Sequence, residues 1–83
     1  MSKLQKAVAR LLAKPADYTW DDLLSLMTAF GYELRTSGGS SRKFLNPASK
    51  ALMFLHEPHP SKVLKAYQVR EVIKFIRKER RIP

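Results

Sequence analysis

The sequence predicts a small α+β domain in which two helices precede three antiparallel strands and a third helix closes the chain. Three observations predict it: apolar residues recur at helical spacing near both ends, the period shortens between them, and glycine or proline separates the segments. Eighty-three residues are enough for one modest core. We therefore expect residues 1–83 to form a single domain, with residues 1–18 as a helical extension of a core at residues 19–83.

The first two segments are predicted to be helices. Leucine and valine residues at i, i+4, i+7 and i+8 predict an amphipathic helix over residues 3–13, which Pro15 ends. Thr19 and Asp22 have the spacing of a capping box with an acid one methylene short. They predict the start of a second helix over residues 20–30.

Beyond Gly31, which can take the left-handed conformation that ends a helix, the pattern becomes that of strands. Residues 32–37 and 41–45 predict two antiparallel strands joined by a glycine turn. Residues 51–55 are apolar throughout, which predicts a third strand that is central or covered on both faces.

The C-terminal segment combines an extended corner with a basic helix. Pro58 and Pro60 exclude both a helix and a continuous strand ladder, and residues 67–81 then carry a valine and isoleucine stripe. The other side of this helix is basic and holds Arg70, Lys74, Arg77, Lys78 and Arg81. Two interpretations are open: a surface that contacts phosphates, or an ordinary solvated face whose cations suit a helix C-terminus.

Charge is distributed unevenly along the chain. The formal net charge is +9, and the first 34 residues are balanced, so the whole excess falls on residues 35–83. Such an excess predicts a nucleic acid, a membrane surface or an acidic protein as partner, and a merely solvated surface is the alternative.

Composition excludes several classes of site. The chain has no cysteine, which rules out disulfides, thiolate nucleophiles and cysteine-rich zinc clusters and suits a reducing cytoplasm. Basic residues interrupt the first apolar run, so we expect neither a signal peptide nor a membrane span. The basic half has only three separated carboxylates, and no nucleotide or zinc motif is present, so we expect no cofactor and no metal site.

Residues 19–83 resemble the HicA toxins of bacterial and archaeal toxin–antitoxin pairs. The resemblance lies in a helix ending at Gly31-Tyr32, a Gly-Ser turn before a strand ending at Phe44, the Pro58-His59-Pro60 corner and a closing helix rich in Val, Ile, Lys and Arg. It implies a fold like the double-stranded-RNA-binding domain, with a helix, a three-stranded antiparallel sheet and a helix. It also implies a type II toxin that cleaves mRNA in the cytoplasm without metal or ribosome, and a HicB-type antitoxin as its partner.

The chain departs from the family at the catalytic position. The family turn reads Gly-Ser-His-x-x-Phe, whereas this chain has Gly39-Ser40-Ser41-Arg42-Lys43-Phe44, so the family's catalytic histidine maps onto Ser41. Cleavage of RNA without metal needs a base for the 2′-OH and an acid for the leaving oxygen, and imidazole suits both roles near neutral pH. A serine hydroxyl suits neither, although Ser40 and Ser41 can hydrogen-bond a phosphate.

The two histidines of the chain are candidates to replace it. Antiparallel pairing about a turn near Ala48 would place His56 across from Ser40, where its imidazole could act in place of the missing one. His59 belongs to the Pro-His-Pro corner and is the second candidate, with a purely structural role as its alternative. A Ser41 nucleophile activated by His56 would need an orienting carboxylate that the sequence does not supply.

The cations that would bind phosphate fall into two groups. Alternation along the second strand places Ser41 and Lys43 opposite the core side, with Arg42 nominally on the core side but able to turn outward. Arg35 approaches from the preceding strand. Arg70 and Lys74 belong to the basic helix.

Two functions of different class follow. The first is a HicA-like ribonuclease with a relocated acid–base group. The second is a non-catalytic RNA-binding module, or an inactivated toxin relative, that keeps the scaffold and has lost the chemistry. A DNA-binding module is a weaker third, because no recognition-helix signature is present.

Overall fold

The computed structural model describes residues 3–36 and 41–79. Its elements follow the predicted α+β order, like that of the double-stranded-RNA-binding domain preceded by one extra helix. They are α1 (Lys3–Leu12), α2 (Trp20–Ala29), β1 (Glu33–Thr36), β2 (Ser41–Leu45), β3 (Leu52–His56) and α3 (Ala66–Lys78). The predicted Gly38-Gly39 turn, Ser40 and Arg81 lie outside the described residues.

Helix α2 begins and ends as the sequence predicts. The Asp22 amide donates to Thr19 Oγ1 at 3.1 Å, and the Thr19 amide donates to Asp22 Oδ2 at 3.0 Å, which completes the capping box. Gly31 follows the helix with φ +91°, in the region that side chains disfavour. Local sequence alone therefore fixes both ends of this helix.

Helix α1 is joined to the rest of the molecule by packing and by ion pairs of Arg10 with Asp17 and Asp22. Leu11 is fully buried and belongs to the same hydrophobic core as α2 and α3. Arg10 Nη2 lies 2.9 Å from Asp22 Oδ2, and its guanidinium lies over the ring of Tyr18 at 5.4 Å from the centroid. The Asp22 carboxylate, which caps the start of α2, thus also binds α1 through Arg10.

The three strands form one antiparallel sheet in the order β1-β2-β3. The helices cover one face, where Phe44 packs 5.6 Å from Trp20 between ring centroids and Met53 and Leu55 are buried. The other face, which we call the open face, carries Glu33, Arg35, Ser41, Lys43, Leu45, Leu52, Phe54 and His56.

The expectation of a central or doubly covered third strand is wrong. β3 lies at an edge of the sheet, and its side chains alternate between exposed and buried from Leu52 to His56. An apolar run indicates a strand, but it does not show which strands or helices pack beside it. No described element covers the β3 side chains on the open face. Leu52 and Phe54 consequently remain exposed.

No helix within the described ranges is both long enough and apolar enough to cross a membrane.

Candidate functional site

Ser41 and His56 are direct partners in the β2–β3 ladder. The predicted register was one residue off, since His56 was expected opposite Ser40. In the turn between β2 and β3 the backbone amide of Asn46 donates to the Ala51 carbonyl at 2.9 Å. The observed register therefore differs by one residue from the register that a turn centred on Ala48 would give. Ser41 and His56 therefore lie directly opposite each other.

The ladder brings these two side chains close together. In an antiparallel ladder, hydrogen-bonded residue pairs alternate with non-hydrogen-bonded pairs. Asn46 and Ala51 form a hydrogen-bonded pair, so counting along the ladder makes Ser41 and His56 a non-hydrogen-bonded pair, whose backbone groups point away from each other. In such pairs the Cα atoms are about 4.5 Å apart and the side chains are at their closest. Both side chains belong to the open face, with Ser41 half-buried and His56 exposed.

A buried glutamine fixes the end of β3 where His56 lies. Gln68, at the start of α3, donates from Nε2 to the His56 carbonyl at 2.9 Å and accepts the Lys65 amide on Oε1 at 3.0 Å. Its side chain is 3% exposed. Sequence analysis missed this positioning residue, although the spacing of Lys65 and Gln68 matches the glutamine half of a capping box.

Cations lie next to this pair on the open face. Lys43 is two residues from Ser41 on β2, and Arg35 is the β1 partner of Lys43. Arg35 also forms an ion pair with the exposed Glu33 at 2.5 Å. The predicted grouping of Ser41, His56, Lys43 and Arg35 is thus present on one surface, where the cations can attract a phosphate.

Arg42 is directed to the other face of the sheet. Its Nε lies 3.2 Å from Glu57 Oε1, and both side chains are mostly buried, with 18% and 15% exposed. Its Nη1 also donates to the Ser41 carbonyl at 3.1 Å. The guanidinium therefore organises the start of β2 and the segment after β3.

Glu57 forms ion pairs with Arg42 and Lys62 and so stabilises the corner that contains His59. The ammonium group of Lys62 donates a hydrogen bond to Glu57 Oε2. The pKa of Glu57 is lowered, first by this hydrogen bond and then by the charges of Lys62, Arg42 and His59, although burial opposes the change. His59 itself is exposed and lies on this corner, after the end of β3 and outside the β2–β3 ladder.

The two predicted cations of α3 lie apart from the open face. Arg70 borders a shallow depression with Lys14 and Arg77 on the helical side of the molecule. Lys74 borders this depression and also a groove between β3 and α3 that includes His56. Lys74, together with Lys78, therefore connects the basic helix with the neighbourhood of His56.

Across the described ranges, no group of three or more histidine, aspartate or glutamate side chains could hold a metal ion.

Comparison with known proteins identifies a family. The family model described as the HicA toxin of bacterial toxin–antitoxin systems matches residues 20–77, from the start of α2 almost to the end of α3. No curated protein and no solved structure matches the chain significantly.

Proposed function

Because the chain belongs to the HicA family of toxins from bacterial toxin–antitoxin systems, we propose that it is a metal-independent endoribonuclease that cleaves mRNA in the cytoplasm without the ribosome. The observation that carries the proposal is the direct pairing of His56 with Ser41. An imidazole stands across the ladder from the position where the family keeps its catalytic imidazole.

The proposed reaction is transfer of the phosphodiester to the neighbouring ribose oxygen. His56 takes the proton from the 2′-OH, that oxygen bonds to phosphorus, and the bond from phosphorus to the 5′-oxygen breaks. The imidazolium so formed then gives its proton to the leaving oxygen, and the products are a 2′,3′-cyclic phosphate and a 5′-OH. All atoms and charges balance without a co-reactant.

The remaining groups bind the phosphate. Ser41 donates a hydrogen bond to a non-bridging oxygen, and Ser40, the residue before it in the sequence, would do the same. Lys43 and Arg35 stabilise the charge that builds on phosphorus, because preformed cations next to developing charge favour the transition state. Arg42 supports this arrangement through Glu57, and turns to phosphate only if that ion pair opens. Arg70 and Lys74 contact the RNA farther along its backbone.

We also propose a HicB-type antitoxin as the partner that silences the enzyme. The formal charge of +9 favours association with an acidic surface. A partner that covers the open face would block the Ser41–His56 pair.

The test is incubation of the purified chain with mixed-sequence RNA in the presence of EDTA. We expect cleavage by the wild type and by Ser41→Ala, and none by His56→Ala. His59→Ala is the matched control, since it makes the same chemical change three residues away, and it should still cleave. If His59→Ala is the inactive variant instead, the acid–base role belongs to His59.

The second candidate function is a non-catalytic RNA-binding module, favoured by the serine at position 41. It predicts RNA binding with a steep salt dependence and intact RNA with every variant. That result would exclude the nuclease.

A further inference from the structure

The most exposed large apolar side chain of the described residues is on the open face. Phe54, in the middle of β3, is 64% exposed, followed by Tyr67 at 54% and Leu52 at 40%. All three border the groove between β3 and α3, which His56 and Lys74 also line. A phenylalanine gains free energy by leaving water, so its exposure here points to a ligand that covers it.

The neighbours of Phe54 indicate the chemistry of that ligand. Lys43 is its direct partner on β2, and Arg35 is the partner of Lys43 on β1, so a guanidinium, an ammonium and an aromatic ring form one row across the sheet. Side chains in such a row are about 5 Å apart at Cβ. A ligand bound along this row must offer both a negative charge and a flat apolar surface.

The same ring lies beside the candidate catalytic pair. His56 is two residues from Phe54 on the same face, a separation of about 6.6 Å along a strand. A nucleotide whose phosphate lies at Ser41 and His56 can therefore place a base against the phenyl ring.

We propose that Phe54 is a stacking platform for an unpaired base and that the open face consequently selects single-stranded RNA. The inference rests on the proposed function, whose substrate it narrows. Bases in a duplex are stacked on each other and cannot lie flat on a side chain, whereas single strands bind by stacking on aromatic rings beside cations. Tyr67, across the groove, offers a second ring.

The chemistry favours RNA over an apolar protein partner. The centre of a protein interface is depleted of charged residues, particularly lysine. Lys43 lies directly beside Phe54 in the row across the sheet, and Arg35 lies beside Lys43 on the next strand. An exposed aromatic ring next to cations is the arrangement by which proteins bind single-stranded nucleic acid.

The test measures binding without chemistry. The probe is a short single-stranded 2′-O-methyl RNA, which cannot be cut because its 2′-oxygen carries no proton. We expect Phe54→Leu to raise its Kd about 5- to 100-fold, the effect of losing one base–aromatic contact. The slope of log Kd against log salt should be unchanged, because no charge is altered. Thr28→Ala, at an exposed position of α2 outside this groove, is the control and should leave the Kd unchanged.

Phe54→Trp provides a direct optical signal. It should retain binding, and the single-stranded probe should quench the emission of the introduced indole. The native Trp20 is 4% exposed and gives a constant background, which the wild type measures. A duplex of the same sequence and an abasic oligonucleotide should quench little.

Three results would overturn the proposal. The first is an unchanged Kd for Phe54→Leu, and the second is that Phe54→Leu weakens binding of the abasic oligonucleotide as much as binding of the single-stranded probe. The third is that Phe54→Leu keeps its RNA binding but no longer captures a co-expressed antitoxin. The last result would make Phe54 a protein-docking residue. If wild type leaves ordinary RNA uncut while Phe54→Leu still weakens binding to the probe, the nuclease proposal fails and the stacking site stands.

Discussion

Ser41 and His56 face each other across β2 and β3 on the open face of the sheet. The pairing joins Ser41, onto which the sequence resemblance maps the family's catalytic histidine, to one of the chain's two imidazoles. A strand partner at this distance can bring its side chain to the same ligand atom as Ser41, and the proposed nuclease depends on this.

Replacing Ser41 by histidine should increase RNA cleavage. A second imidazole opposite His56 would let one ring act as base while the other acts as acid, and general acid–base groups contribute about 10²–10⁴-fold to rates. Cleavage of mixed-sequence RNA in EDTA measures the gain. The double variant Ser41→His with His56→Ala separates the two rings, and a rate equal to that of Ser41→His would show that His56 contributes nothing.

Leu11→Ala should destabilise the protein by about 2–5 kcal/mol, the usual cost of truncating a buried leucine. Leu11 is fully buried although it lies outside the segment that matches the family. Urea unfolding measures the change. The control is Leu12→Ala, which makes the same truncation at a half-buried neighbour. Leu12 is only partly buried against the same core, so equal effects of the two variants would contradict the full burial of Leu11.

Thr19→Ala should cost about 1 kcal/mol, because it removes the oxygen that accepts the Asp22 amide at the start of α2. Thr28→Ala makes the same change at an exposed position of the same helix and should be neutral or slightly stabilising. A thermal or urea melt of the two variants compares them directly. A Thr28→Ala loss as large as that of Thr19→Ala would show that the cost of Thr19→Ala does not come from the lost cap.

Acid should weaken the fold partly through Glu57. Its folded pKa is lowered below the ordinary value by Lys62 and Arg42, so its ionised form stabilises the native state above the unfolded pKa. This contribution is lost as the pH falls through the lower folded pKa. Glu57→Gln should therefore flatten the decline in unfolding free energy below about pH 4.5, whereas Glu71→Gln, an exposed change on α3, should leave the wild-type slope.

Alkali should weaken the fold through Tyr18. Burial, aided by the charge of Asp22 and opposed by Arg10, raises its pKa to about 12. The unfolded phenol titrates near 10, so the stability is complete below about pH 10 and falls by about 1.4 kcal/mol per pH unit until the folded pKa is reached. Urea unfolding of Tyr18→Phe between these values should show a smaller slope. Tyr67→Phe, at an exposed ring, should behave like the wild type.

Several local features could be predicted from sequence because short-range rules decide them. The Thr19 cap, the end of α2 at Gly31, and the strand from Ser41 depend on neighbouring residues only. The role of Gln68 in holding His56 could not be predicted in the same way, since it joins a helix start to a strand end through one side chain. The partnership of Arg42 with Glu57 likewise joins residues that only the turn between their segments brings together.

The sequence by itself determined the α+β order, the basic C-terminal half, the family resemblance and the serine at position 41. Only the tertiary structure decided that β3 is an edge strand, that His56 pairs with Ser41, and that Phe54 is exposed beside Lys43. The reason is physical: periodicity reports which side chains share a face, whereas register depends on how the turn between Asn46 and Ala51 closes. A shift of one residue moved His56 from Ser40 to Ser41, and with it the candidate site for chemistry.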